Sequence, residues 1–147
     1  MADAVPEYET SVVWTEQRRG TLTATQRATI QTGSPAEFGG SDDVWSPEQL
    51  CIAAVNSCVM LTFIAIAANS KVPFRAYAAT ATGTLEKPEG ERTPVITRVT
   101  VKPRIVIGPE ADRGKVERLV KMAERSCYIS NSLKATVVVE PEIVVET

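Results

Sequence analysis

Cys51, Cys58 and Cys127 are the strongest nucleophiles in a chain of 147 residues that contains no histidine. The missing histidines remove the commonest general base and the commonest metal ligand. Chemistry must therefore run on cysteine, carboxylate, lysine, arginine, tyrosine or serine. Cys51 and Cys58 both fall in the longest apolar run, Ser46 to Asn69. If that run is a helix, they share a face about two turns, or roughly 10 Å, apart. A disulfide needs Cα atoms within about 7 Å, so these two cannot bond each other within an intact helix. Cys127 lies on a later segment and is free to approach either of them. No C-x-x-C pair is present and good ligands number fewer than four, which argues against a metal site; no cofactor is implied. Arg18 and Arg19 sit together in a charged turn, EQRRG. A guanidinium that reached a thiolate would lower its pKa and make it nucleophilic. Each feature also has a plain alternative. Free cysteines commonly pack as small buried apolar residues. Paired arginines commonly decorate a solvated turn, and Glu48 is a favourable charge at a helix start.

The elements that would position these residues are legible in outline. Ser46 caps a helix, Pro47 suits its first position, and Gln49 completes an S-x-x-Q capping box. No Pro or Gly follows until Pro73, so a helix of roughly 35 Å is expected. It is apolar on nearly every face and should be buried all round. Residues 8–15 read as a first strand and Thr21 to Thr32 as a second, paired with it. Ser34 to Asp43 is loop, punctuated by Gly39-Gly40, with Phe38 in a short strand before the helix. Ala76 to Lys87 and Val95 to Ile107 form a hairpin, with a bulge or edge position at Pro103. A helix runs from Glu110 and Asp112 to about Arg125. Val116, Leu119, Val120 and Ala123 form its apolar stripe, and Arg118, Lys121 and Arg125 face water. A short helical turn capped by Ser130 or Asn131 follows, then a final strand from Ala135 to Val145, bent at Pro141. Hairpins dominate, so the expectation is one α+β domain over residues 1–147 with mainly antiparallel sheets. A helix apolar all round needs cover on two sides, and a second subunit would supply the second layer.

The whole chain narrows the function classes. Its net charge of -2 offers no basic field for nucleic acid and no polybasic membrane patch. Three cysteines do not suit a disulfide-stapled secreted scaffold, and the acidic start MADAVPEYE shows no signal sequence. Cytoplasmic residence with reduced thiols is the expectation. Residues 50–68 approach the roughly 17–20 residues of a membrane span. Asn56, Ser57 and Thr62 interrupt them, and the rest of the chain reads as soluble strands, so no membrane partner is expected.

Two stretches carry a resemblance. SPEQLCIAAVNSCVMLTFIAIA, with Glu48 ten residues before Cys58, resembles the reactive-cysteine helix of the OsmC/Ohr family of thiol peroxidases. AERSCYISNSLK resembles that family's second-cysteine motif C-P-x-S-x-x-L, with Cys127, Ser130 and Leu133 in register and Tyr128 in place of proline. The resemblance spans nearly the whole chain. It implies an OsmC-like α+β fold with antiparallel sheets around a long central helix, in an intertwined homodimer. It implies Cys58 as the peroxidatic and Cys127 as the resolving cysteine. Glu48 with Arg18 or Arg19 would be the assisting pair. Organic hydroperoxides would be the substrates, with hydrogen peroxide as a further one, and a small or protein-bound dithiol the reductant. Cys51 is an additional thiol beside this pattern.

One geometric consequence follows. Ten residues of straight helix separate Glu48 from Cys58 by roughly 15 Å. Glu48 cannot then serve the cysteine of its own unbroken helix. Either the helix breaks or the partner subunit supplies the carboxylate. Two further classes of function stay open. An apolar helix at a dimer interface could bind a lipid or other small ligand, or the cysteine pair could report redox state with little peroxide turnover.

Overall fold

A computed structural model describes residues 5–147. The chain divides into two compact units, the first ending at Leu50 and the second spanning Cys51–Thr147.

The first unit is a three-stranded antiparallel sheet, β1 (Ser11–Glu16), β2 (Arg19–Thr23) and β3 (Ile30–Gly33), in that order. The single strand expected over Thr21 to Thr32 is two strands. Residues 24–29 make a turn in which Arg27 N–H donates to Ala24 O at 3.1 Å and Gln26 takes a positive φ of 59°. Alternation of β-branched residues signals extended chain but not where it folds back. β1 leaves all six of its residues exposed. Phe38 lies in a short 3-10 turn, Ala36–Phe38, rather than a strand. Gly39 closes that turn at a φ of 85°, and a Cβ on Gly40 would collide with the Ser34 carbonyl oxygen.

Helix α1 (Pro47–Asn69) begins with the capping box read from the sequence. Gln49 N–H donates to Ser46 Oγ at 3.1 Å and Ser46 N–H donates to Gln49 Oε1 at 2.9 Å. The helix is unbroken. It is also long and apolar enough to cross a membrane.

The second unit is built on β4 (Ala76–Glu86), β5 (Val95–Ile107), helix α2 (Arg113–Ser126), β6 (Thr136–Val139) and β7 (Glu142–Val145). β4 and β5 form the expected antiparallel hairpin, with the irregularity at Thr84 and Leu85 and not at Pro103. β6 and β7 both pair parallel to β5, so this sheet is mixed, although antiparallel pairing still predominates as expected. The cause is α2. Its crossover from the end of β5 carries the chain back to run alongside β5 in the same direction. β5 is therefore a central strand. Pro103 falls between the β6 partners, Arg98 to Val101, and the β7 partners, Arg104 to Ile107. The ladder is interrupted there, so its missing N–H is tolerated. Pro141 splits the final strand in two rather than bending one.

The core of this unit joins one stripe of each helix to β5. Val55, Val59, Phe63 and Ala67 come from α1, and Val116, Leu119, Val120 and Ala123 from α2. Phe63 stacks against Phe74 and Tyr77 with ring centroids 5.3 and 5.6 Å apart. Gly83 lets Ile52 of α1 lie close against β4, where a Cβ would collide with that side chain. Asp112 caps α2 by accepting from Lys115 N–H at 3.1 Å, and Glu124 ties the helix to β6 by accepting from Val139 N–H at 2.7 Å.

The expectation that α1 is buried all round is corrected. Only the i, i+4 stripe is buried, and Leu61 is 59% exposed and Ile64 37% on the far side. One sheet covers one face of a helix, and among the described residues of the second unit nothing covers that side.

Candidate functional site

Cys58 sits midway along α1 beside the core stripe and packs partly against it. Cys127 terminates α2 as its C-cap residue and is 0% exposed. The two thiols are neighbours within the second unit, where both pack into the same core. Both are free thiols, as is half-buried Cys51.

The segment after α2 explains how Cys58 is held. Cys127 leaves the helix in an extended conformation, and the chain turns at once into a 3-10 turn over Ser130–Ser132. Asn131 fastens this turn to the helix end. Its Nδ2 donates to Arg125 O and Cys127 O, both at 2.9 Å, and its N–H donates to Cys127 O at 3.1 Å. Ser132 Oγ donates to Tyr128 O at 2.7 Å, and Ser130 N–H donates to Cys127 Sγ at 3.5 Å. The expected cap by Ser130 or Asn131 is not formed. Ser130 lies inside the turn, and Asn131 bonds backwards onto α2.

This arrangement aims donors at Cys58. Burial pushes the Cys58 thiol up, since the charged form loses solvation. The Cys127 thiol, the Ile129 N–H, the Thr62 hydroxyl and the Tyr128 N–H together outweigh it and hold Cys58 below its ordinary value of 9.0. Thr62 Oγ1 lies 3.9 Å from Cys58 Sγ, one turn on along the helix. Cys127 moves the other way. Burial and the bond it gives to Cys58 push it up. A donor that has surrendered its proton cannot serve the thiolate, so their mutual bond lowers one thiol and raises the other, on top of the burial that raises both. Cys58 is thus the thiol held lower and Cys127 the one held higher.

The remaining sequence candidates lie in the first unit. Arg19 forms a two-bonded pair with Asp43, Nη1 to Oδ1 at 3.0 Å and Nη2 to Oδ2 at 3.1 Å. Asp43 is held below the usual carboxylate range first by the Ser41 hydroxyl and then by Arg19. Arg18 Nη1 donates to Phe38 O at 2.9 Å. Glu48 Oε1 is buried with no hydrogen-bond partner among the described residues. Among the described residues of this chain neither Arg18 nor Arg19 pairs with Glu48, and Arg19 is held by Asp43. Sequence reasoning missed Asp43, Thr62 and the Tyr128 and Ile129 N–H groups. Thr62 was discoverable, because i and i+4 residues face each other on a helix. The two N–H groups had no signal of their own, since every non-proline residue carries one.

The model of the OsmC-like protein family matches residues 40–142 of this sequence. Among curated proteins none matches. The fold is similar to an OsmC-like protein of unknown function from Vibrio cholerae, with a TM-score of 0.86 and 23% identity over 94% of this chain and 100% of that one. It is also similar to an organic hydroperoxide resistance protein OsmC from Legionella pneumophila (0.74, 22% identity, 97% and 99% covered). A third similar structure is the organic hydroperoxide resistance protein OhrB of Bacillus subtilis (0.68, 22% identity, 95% and 99% covered). With the α+β fold shared across these structures and the family match spanning α1 through the Cys127 segment, the chain belongs to the OsmC-like protein family.

Proposed function

We propose that this protein is a thiol-dependent peroxidase that reduces organic hydroperoxides in the cytoplasm, with hydrogen peroxide as a further substrate. The observation that carries the reading is the placement of two free thiols in one core, Cys58 midway along α1 and Cys127 at the end of α2, with donors that hold Cys58 below its ordinary value. The Cys58 thiolate attacks the distal oxygen of ROOH. The O–O bond breaks, Cys58 becomes a sulfenic acid, and the alkoxide takes a proton to leave as ROH. Cys127 then attacks the sulfenic sulfur, losing its proton as water departs, and a Cys58–Cys127 disulfide forms. An external dithiol reduces that disulfide by exchange and is itself oxidised. No histidine is needed, because backbone and hydroxyl donors stabilise the thiolate.

The active form in this proposal is a homodimer built on the exposed side of α1, where Leu61 and Ile64 lie uncovered. α1 is unbroken, so a carboxylate serving Cys58 comes from Glu48 of the partner subunit. The buried, unpartnered Glu48 oxygen is available for an arginine, with Arg18 or Arg19 as the candidates once Arg19 leaves Asp43. A dimer structure with Glu48 more than about 10 Å from both Cys58 thiols would remove Glu48 from the mechanism.

The test is consumption of cumene hydroperoxide with dithiothreitol. Wild type turns over, Cys58→Ser does not, and Cys127→Ser gives at most one turnover without excess reductant. Turnover that survives Cys58→Ser refutes the assignment and directs attention to Cys51. No turnover in the wild type, in the presence of reductant, refutes the peroxidase reading.

A further inference from the structure

A second site is carried by α2 and the start of β7, along the helix face that bears Arg118, Lys121 and Met122. The groove between α2 and the start of β7 has a volume of about 900 Å³, the upper part of the range of small-molecule sites. Its apolar floor is Met122, Pro141 and Ile143, and Met122 is 40% exposed although every apolar neighbour on the helix stripe is buried. Cationic side chains stand around that floor. Arg113 is spent on Glu117 one turn along, at 3.5 Å, and Glu142 on the opposite wall is taken by Arg104 at 3.8 Å. Arg118, Lys121 and Arg125 have no carboxylate partner among the described residues. They follow at i, i+3 and i+7, a row roughly 10 Å long on one face. Three uncompensated cations beside an apolar trough form a local positive field on a chain whose net charge is -2.

We propose that this groove binds a soluble single-chain amphiphile with a phosphate monoester head. The tail lies on Met122, Pro141 and Ile143, and the head is held by Arg118, Lys121 and Arg125. A phosphate monoester carries about -1.5 to -2 charges at neutral pH and three acceptor oxygens, which matches a row of cations better than a single carboxylate does. The long stems of Arg118 and Lys121 extend the apolar walls, while their heads stay at the water line. The site does not depend on the thiol chemistry, since none of its residues is Cys58, Cys127 or a donor to them.

The test is calorimetric titration of the full chain with dodecyl phosphate below its micellar concentration. Dodecanol and inorganic phosphate serve as the tail and the head alone. Methyl-resolved NMR locates the ligand. Dodecyl phosphate is expected to bind once per chain, at least tenfold tighter than either half, and to perturb Met122 and Ile143. Arg118→Gln/Lys121→Gln/Arg125→Gln should weaken it at least tenfold, and so should 0.5 M salt. These are exposed positions, so circular dichroism and cumene hydroperoxide turnover should stay unchanged in that variant. Equal binding by wild type and the triple variant overturns the proposal. So do perturbations confined to Leu61 and Ile64, binding only to phosphatidic acid vesicles, or an acidic helical peptide binding the groove in preference to the amphiphile.

Discussion

Replacing Cys127 with alanine isolates the interaction that matters most at the site. The Cys127 thiol is the largest of the groups that lower Cys58, and only burial, which acts in the opposite sense, outweighs it individually. A hydrogen bond of ordinary strength contributes about 0.5–1.5 kcal/mol net. At about 1.4 kcal/mol per factor of ten, its loss reduces the Cys58 thiolate fraction roughly two- to tenfold at any pH below its titration. A competing effect must be weighed. Deleting the Cys127 sulfur could admit water and relieve the burial that pushes Cys58 up. Cys127 is fully buried against the core, and one missing sulfur leaves too small a gap to wet an apolar site, so the lost donor decides the sign. Cys127→Ser is the control, because it keeps a donor in the same place. The assay is iodoacetamide alkylation of Cys58 against pH, read by intact mass in a Cys51→Ser background. Cys127→Ala should move the reactivity curve to higher pH, with Cys127→Ser between it and the parent. Superimposed Ala and Ser curves, or a shift to lower pH in Cys127→Ala, would refute the account of how Cys58 is activated.

Thr62→Val removes a second donor and should shift the same curve in the same direction by less, since the Thr62 hydroxyl is a smaller cause and lies at 3.9 Å. The folded Cys58 titrates below its ordinary 9.0, so its thiolate contribution to stability is present above 9.0 and fades as pH falls through the folded value; denaturant midpoints at graded pH, compared with Cys58→Ser, should show that sign. Ser46→Ala breaks the capping box and should cost roughly 1 kcal/mol in chemical denaturation without altering alkylation of Cys58. Leu61→Glu places a charge on the exposed side of α1 and should convert a dimer to a monomer in sedimentation while leaving circular dichroism intact, whereas an unchanged sedimentation coefficient would remove that face from the interface.

Several features were legible in the residues alone because the physics behind them is local. The capping box at Ser46 and Gln49 depends on groups three residues apart, and it is formed as read. The stripe Val116, Leu119, Val120 and Ala123 follows from helix period alone, and all four are buried. The hairpin from Ala76 to Ile107 follows from alternation across one turn. The pairing of Cys127 with Cys58 came instead from a resemblance to a known family, and the geometry of the second unit brings the two thiols together.

What only the tertiary structure decided involves contacts remote in sequence or groups that every residue shares. The composition of α1 says that it is apolar on all sides, but burial depends on what the rest of the chain can lay over it, and one sheet covers one stripe. β6 and β7 run parallel to β5 because α2 carries the chain across before they form, a direction that alternation does not encode. Arg19 has Asp43 rather than Glu48 because the loop through Gly39 and Gly40 returns that carboxylate to β2. The lowering of Cys58 draws first on the Cys127 thiol and then on groups that include the Ile129 and Tyr128 N–H, which acquire meaning only when the turn after α2 brings them to a thiol. The sequence by itself determined which residues could do chemistry and the helix that carries Cys58. The division of roles proposed for the two cysteines rests on burial and donor placement, and those exist only in the folded chain.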